Sequence, residues 1–170
     1  VAERMGILPR VLERGYRVRE LRFVDGRGRR AGGFDTSVFR RLTNDRFTSL
    51  PRGDLAEIIY RAIEGRVETI FGESIVAIEQ SDSRVEASFE HGPTRSFDAI
   101  VGADGLHSNV RSLVFGAQER FERRLGFHVA AFEAEGYRPR NELVYVAYAR
   151  PGRQMARFTL RDDRTLFLLV

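Results

Sequence analysis

Leu55, Ile58, Ile59, Ala62 and Ile63 recur at i, i+3, i+4, i+7 and i+8. That spacing lays apolar side chains along one face of an α-helix. The stretch SLPRGDLAEIIYRAIEG therefore predicts a helix. Pro51 suits its first position, where the missing N–H costs nothing. Asp54 and Glu57 fall near the positive end of the helix dipole, and Gly65 is the expected stop. Upstream, VAERMGILPRVLERG reads as two short helices broken at Pro9, the second ending at Gly15. From Tyr16 to Ser37 the period changes, and apolar residues alternate with charged ones. Val18, Leu21 and Phe23 lead into Asp25-Gly26, a hairpin turn signal, and the glycine-rich return predicts an exposed hairpin.

After the helix, VETIFGESIVAIEQ predicts a short strand followed by a second one. RVEASFE then alternates cleanly, with Val85, Ala87 and Phe89 on one face and Glu86, Ser88 and Glu90 on the other. SDS and HGP supply the turns of a β-meander. Ala99 to Val101 is an uninterrupted apolar run, the pattern of a strand covered on both faces. It ends at Gly102-Ala103-Asp104-Gly105, after which Ser108-Asn109-Val110-Arg111 opens a helix. From Ala117 a charged connector, ERFERR, leads to four segments that predict successive antiparallel strands. Gly136, Pro151-Gly152 and Asp162-Asp163 break them. The order predicts a mixed α/β (α+β) chain in which a meander replaces one crossover helix.

Composition narrows the chemistry. Cysteine is absent, so no disulfide framework and no thiolate metal site exists, and a reducing cytoplasmic setting fits. Lysine is absent too, which excludes a Lys Schiff base and a P-loop Lys within this stretch. The net charge of +4 comes from arginines scattered among acids; that reads as a solvated surface and not as a nucleic-acid face. No run approaches the roughly 20 apolar residues of a membrane span. Val1 begins inside a helical pattern and TLFLLV closes on an apolar run, so the reading is of a segment from a larger protein.

The junction at Gly102 to Gly105 carries the candidate chemistry. Glycine allows close backbone approach or positive φ. In open α/β sheets, ligands settle outside the carboxyl ends of strands, where a carboxylate accepts hydrogen bonds from ribose hydroxyls. The same residue types also serve turn formation and helix capping. The residues alone leave both readings open.

DAIVGADGLHSNVR resembles the DG motif of class A flavoprotein monooxygenases, the para-hydroxybenzoate hydroxylase-like family. The likeness covers the strand, both glycines, Asp104, Ser108 and Arg111. Arg52 followed by Leu55 resembles that family's Arg-x-x-Leu at a helix start, and the meander and VAERMGILP match its layout. The resemblance implies part of a glutathione-reductase-like FAD-binding domain over residues 1–116. It also implies part of an antiparallel substrate-binding sheet over residues 117–170, with the hairpin of about 16–37 packing beside that sheet. It implies FAD as cofactor, NAD(P)H as reductant, and oxygenation of a small organic substrate, aromatic substrates among them. It places Asp104 and Gly105 near the FAD pyrophosphate, Arg52 on the flavin nucleotide and Ile75 near adenine. Arg111 stands either near the reductant's phosphates or as a stabiliser of the turn. The family's Gly-x-Gly-x-x-Gly turn and later Gly-Asp motif are not in this sequence, so the stretch alone is expected to be inactive.

No residue is named as acid, base or nucleophile, because the cofactor carries the chemistry. His91, His107 and His128 lack partners at metal-ligand spacing, so no metal is expected. Within the class, a related reductase or halogenase is the alternative, and the absence of Trp removes the motif expected of halogenases from this stretch. Outside it, the alternative is a flavin-free protein-interaction module.

Overall fold

The computed structural model describes residues 1–137, 139 and 141–170. The chain is mixed α/β and divides into two units: residues 1–66 with 126–170, and residues 67–125.

The first unit is built on a six-stranded sheet. A hairpin, β1 (Glu20–Val24) and β2 (Arg30–Asp35), turns at Asp25, whose carboxylate accepts from the Arg27 and Arg29 amides. The later strands are β6 (Ala130–Glu135), β7 (Val144–Arg150), β8 (Arg153–Thr159) and β9 (Arg164–Leu169). The spatial order is β2-β1-β7-β8-β9-β6. β1 runs parallel to β7, with Leu21 opposite Tyr145, and the other pairs are antiparallel. The four C-terminal segments are antiparallel strands as expected; β6 pairs with β9, and β1 occupies the flank of β7. Side-chain pattern defines strands but is blind to which edges meet across a long connection.

One face of this sheet holds the core. Phe158 is 2% exposed and meets Tyr16 edge-on at 5.3 Å and Tyr145 stacked at 4.5 Å. Val18 and Leu160 complete the cluster, with Leu143 and Leu166 packed against it. Thr36, buried, donates its hydroxyl to the Val18 carbonyl.

Helix α1 (Leu8–Arg14) begins one residue before Pro9, and residues 2–6 form turns. Pro9 thus lies inside a helix's first turn, where its absent N–H has no partner to lose, and does not separate two helices. The pattern gave no hint of α2 (Ser37–Leu42), a short helix after the hairpin. Helix α3 (Arg52–Ile63) follows Pro51, with Ile58 its one buried residue. Arg14 braces α1 to α3 through Glu57 at 2.7 Å and Asp54 at 3.2 Å.

The second unit is a three-stranded antiparallel meander of β3 (Ile75–Gln80), β4 (Val85–Phe89) and β5 (Arg95–Phe97), followed by helix α4 (Asn109–Phe115). Ala87 is fully buried. Two expectations fail here. Residues 67–74 form no strand, and Ala99 to Val101 is not a strand either, with Val101 86% exposed. An apolar run becomes a strand only when a neighbour completes its hydrogen-bond ladder, and among the described residues none pairs with 99–101. No described helix is long and apolar enough to cross a membrane.

Candidate functional site

The Gly102-Ala103-Asp104-Gly105 turn is organised around the start of α4. Ser108 is its N-cap and only 7% exposed. Its Oγ accepts from the Arg111 amide at 3.0 Å and donates to Asp104 Oδ1 at 2.5 Å. Asp104 Oδ2 accepts from the Val110 amide at 3.1 Å. The Ser108 hydroxyl first, and the Val110 amide after it, hold the Asp104 carboxyl below its ordinary value, because both bond to the ionised form. A carboxylate and a hydroxyl thus share the unpaired amides of one helix start.

The two glycines are favoured for different reasons, a side-chain contact at one and a backbone angle at the other. A Cβ on Gly102 would lie 2.9 Å from Val110 Cγ1, so the Val110 side chain or the turn would have to shift. Gly105 takes φ +85 with open space around it, a conformation costly for any side chain.

Beside this turn lies a cleft of about 440 Å³. Ile78 and Val85 of the meander, Ile100, and Val114 and Phe115 of α4 make its apolar wall. Gln80, Asp104, Ser108 and Arg111 make its polar wall, and Gly102 and Gly105 complete the lining. Capping and cleft-lining, the two uses of the turn that the residues left open, coexist in one geometry.

The structure brings some of the expected residues together. Arg111 donates to the Leu106 carbonyl at 2.7 Å and lies over the Phe121 ring at 5.6 Å. Its Nε is buried with no hydrogen-bond partner among the described residues. The Ile75 carbonyl accepts from Asn109 Nδ2 at 2.6 Å, which ties the first meander strand to the start of α4. Arg52 stands apart. It opens α3 in the first unit, exposed and without an ion pair among the described residues. His107 contacts Glu122 at 3.0 Å, and His91 lies 3.5 Å from Glu73. Sequence reasoning did not assign Ser108 or Asn109 their parts. Ser before a helical run is a recognisable cap signal, whereas Asn109's reach to a strand 34 residues upstream leaves no local trace.

No family model matches the chain. An uncharacterized protein of Mycobacterium tuberculosis is 39% identical over 138 residues, covering 81% of this chain and 37% of the relative. A flavin-dependent monooxygenase of Legionella longbeachae is 32% identical over 137 residues, covering 81% and 35%. The chain belongs to the FAD-dependent monooxygenases. It spans 35–37% of the length of these curated relatives. The monooxygenase fold extends beyond the DG turn. The crystal structure of Klebsiella pneumoniae HpxO complexed with FAD and uric acid matches 97% of this chain and 44% of its own, with a TM-score of 0.70 at 19% identity.

Proposed function

We propose that this chain works within an FAD-dependent monooxygenase that uses NAD(P)H and O₂ to oxygenate a small organic substrate. Residues 1–116 serve mainly the FAD-binding domain, and residues 117–170 the substrate-binding sheet. Membership of β1 and β2 in the same sheet as β6 to β9 supports giving the hairpin of 16–37 to the substrate side.

The observation that carries the reading is the cleft beside the DG turn. Its chemistry suits a dinucleotide: an apolar wall, a carboxylate held ionised, a guanidinium with one unpartnered nitrogen, and an open glycine. Bound there, FAD would pass electrons from NAD(P)H to O₂, and the protein would supply position and environment. Asp104 would accept from hydroxyls of the cofactor while keeping the turn closed. Gly105 would let the cofactor's pyrophosphate approach the backbone, and Arg111 would offset its charge. The Ile75 backbone would lie against adenine, and Arg52 would make a charge-assisted contact to the nucleotide.

Spectra and FAD titration of the full-length protein test this reading. Yellow protein with flavin bands is expected. Asp104→Ala should weaken FAD retention or slow reduction by NAD(P)H, and Arg52→Ala should raise the FAD Kd about 10-fold. Colourless protein that stays colourless with added FAD would favour the interaction-module alternative. The exposed Phe71, Val101 and Phe115 of the second unit would then be contact residues.

A further inference from the structure

The face of the six-stranded sheet opposite the Phe158 core is cationic at one end and apolar beside it. Register defines that face. Arg150 pairs with Arg153, Tyr148 with Met155, Met155 with Leu169, and Arg157 with both Val146 and Phe167. Phe167 in turn pairs with Phe132 and stacks on it at 5.3 Å. Directly paired residues share a face and neighbours along a strand alternate. These side chains therefore stand together, away from Tyr145 and Phe158. A cleft of about 210 Å³ in this face is lined by Arg22, Tyr148, Met155 and Arg157 among others.

Free arginines gather at one end. Because β1 runs parallel to β7, the turns that follow them emerge on the same side, with Gly26 against Arg150 and Tyr148. Arg27, Arg29, Arg150 and Arg153 belong to that end, and all are exposed. Arg150 and Arg153 lie directly opposite one another, an arrangement that repulsion disfavours. Asp25, the acid of the first turn, is engaged by the Arg27 and Arg29 amides and by the Arg29 side chain. Arg150 lies over the Tyr148 ring. Arg27, Arg150 and Arg153 have no ion pair among the described residues. Elsewhere in this unit arginines meet acids, as Arg40 meets Asp45, Arg46 meets Glu3 and Arg164 meets Glu133. In line with the free arginines are exposed apolar side chains: Leu169, Met155 at 44% and Phe132 at 49%.

A second copy of this chain complements such a face poorly. Its carboxylates, Glu20 and Asp35, stand at the far end and are already engaged by Arg22, Arg30 and the Ser37 amide. We propose that this face docks on an anionic lipid bilayer. The arginines meet the negative potential of the headgroups, and Met155, Leu169 and Phe132 enter the boundary between headgroups and acyl chains. An acidic protein would answer the arginines equally well, but the apolar side chains beside them favour the bilayer. This surface is separate from the cleft at the DG turn and does not rest on the monooxygenase reading.

Co-sedimentation of the full-length protein with lipid vesicles tests the proposal. One set is phosphatidylcholine alone, and the other carries about one-third phosphatidylglycerol. Partitioning onto the anionic set should be about 10-fold or more stronger and should weaken with added salt. Arg150→Gln combined with Arg153→Gln should remove most of that preference. Arg10→Gln combined with Arg66→Gln, which removes the same charge from exposed positions outside the sheet, should preserve it. Met155→Ser should weaken binding to the anionic vesicles several-fold and leave its salt dependence unchanged. Absent binding, equal binding to both sets, or a preference that falls as far in the control pair as in the Arg150 and Arg153 pair would overturn the proposal. Retention on immobilised polyglutamate without vesicle binding would also overturn it, in favour of an acidic protein partner. Circular dichroism checks the fold of each variant. Should the Arg150 and Arg153 pair fail to fold, Arg27→Gln decides: the preference falls several-fold, or is undiminished if the proposal is wrong.

Discussion

At Asp104 a single side chain links folding to chemistry. Its carboxylate closes the turn through Ser108 and the Val110 amide, and the same group lines the cleft. Because these bonds lower its folded-state pKa, it adds stability above its unfolded pKa. That stability is lost as pH falls through the folded value. Asp104→Asn should therefore be less stable than the parent at neutral pH, and the gap should close in acid. Urea melts across the acid range measure this; a gap independent of pH would mean that the carboxylate's charge contributes nothing. The presence of Asp104, Gly105 and Arg111 at one turn was legible in the sequence, since they lie within eight residues of each other. Arg157 was not. An arginine in an alternating strand is indistinguishable from solvated neighbours until the register sets Tyr148, Met155 and Arg22 around it.

Elements with a local cause were readable. Helix α3 has its period and its proline, and β4 its alternation. Helix α4 depends on a cap more than on a face: it has seven residues and none is buried. Ser108→Ala removes both the acceptor for the Arg111 amide and the donor to Asp104. The expected cost is about 1 kcal/mol, seen as a Tm lower by about 2–4 °C. A Tm unchanged in thermal melts would show that Asp104 alone holds the helix start. Segments that depend on a distant neighbour were misread. Ala99 to Val101 has a strand's composition without a ladder partner, and residues 67–74 have apolar residues without a strand. Pro9 erred the other way, because its effect depends on its place within the turn and not on its presence.

Across the molecule, stability is divided between separate clusters. Phe158, Tyr16 and Tyr145 hold the six-stranded sheet, and Ala87 lies at the centre of the meander. Phe158→Ala should cost about 3–5 kcal/mol and raise hydrogen exchange in β7, β8 and β9 ahead of β3 and β4. Uniform loss of protection through both units would mean that they unfold as one. The sequence by itself determined where chain turns, which strands alternate, and that a glycine-bounded carboxylate precedes a helix, for these follow from dihedral limits and period. Only tertiary structure decided that β1 lies parallel to β7, that Asn109 ties α4 to Ile75, and that Arg157 lines a cleft with Tyr148 and Met155. Each of these joins residues more than 30 positions apart or depends on register between strands, and local preference carries no information about which distant surfaces exclude water together.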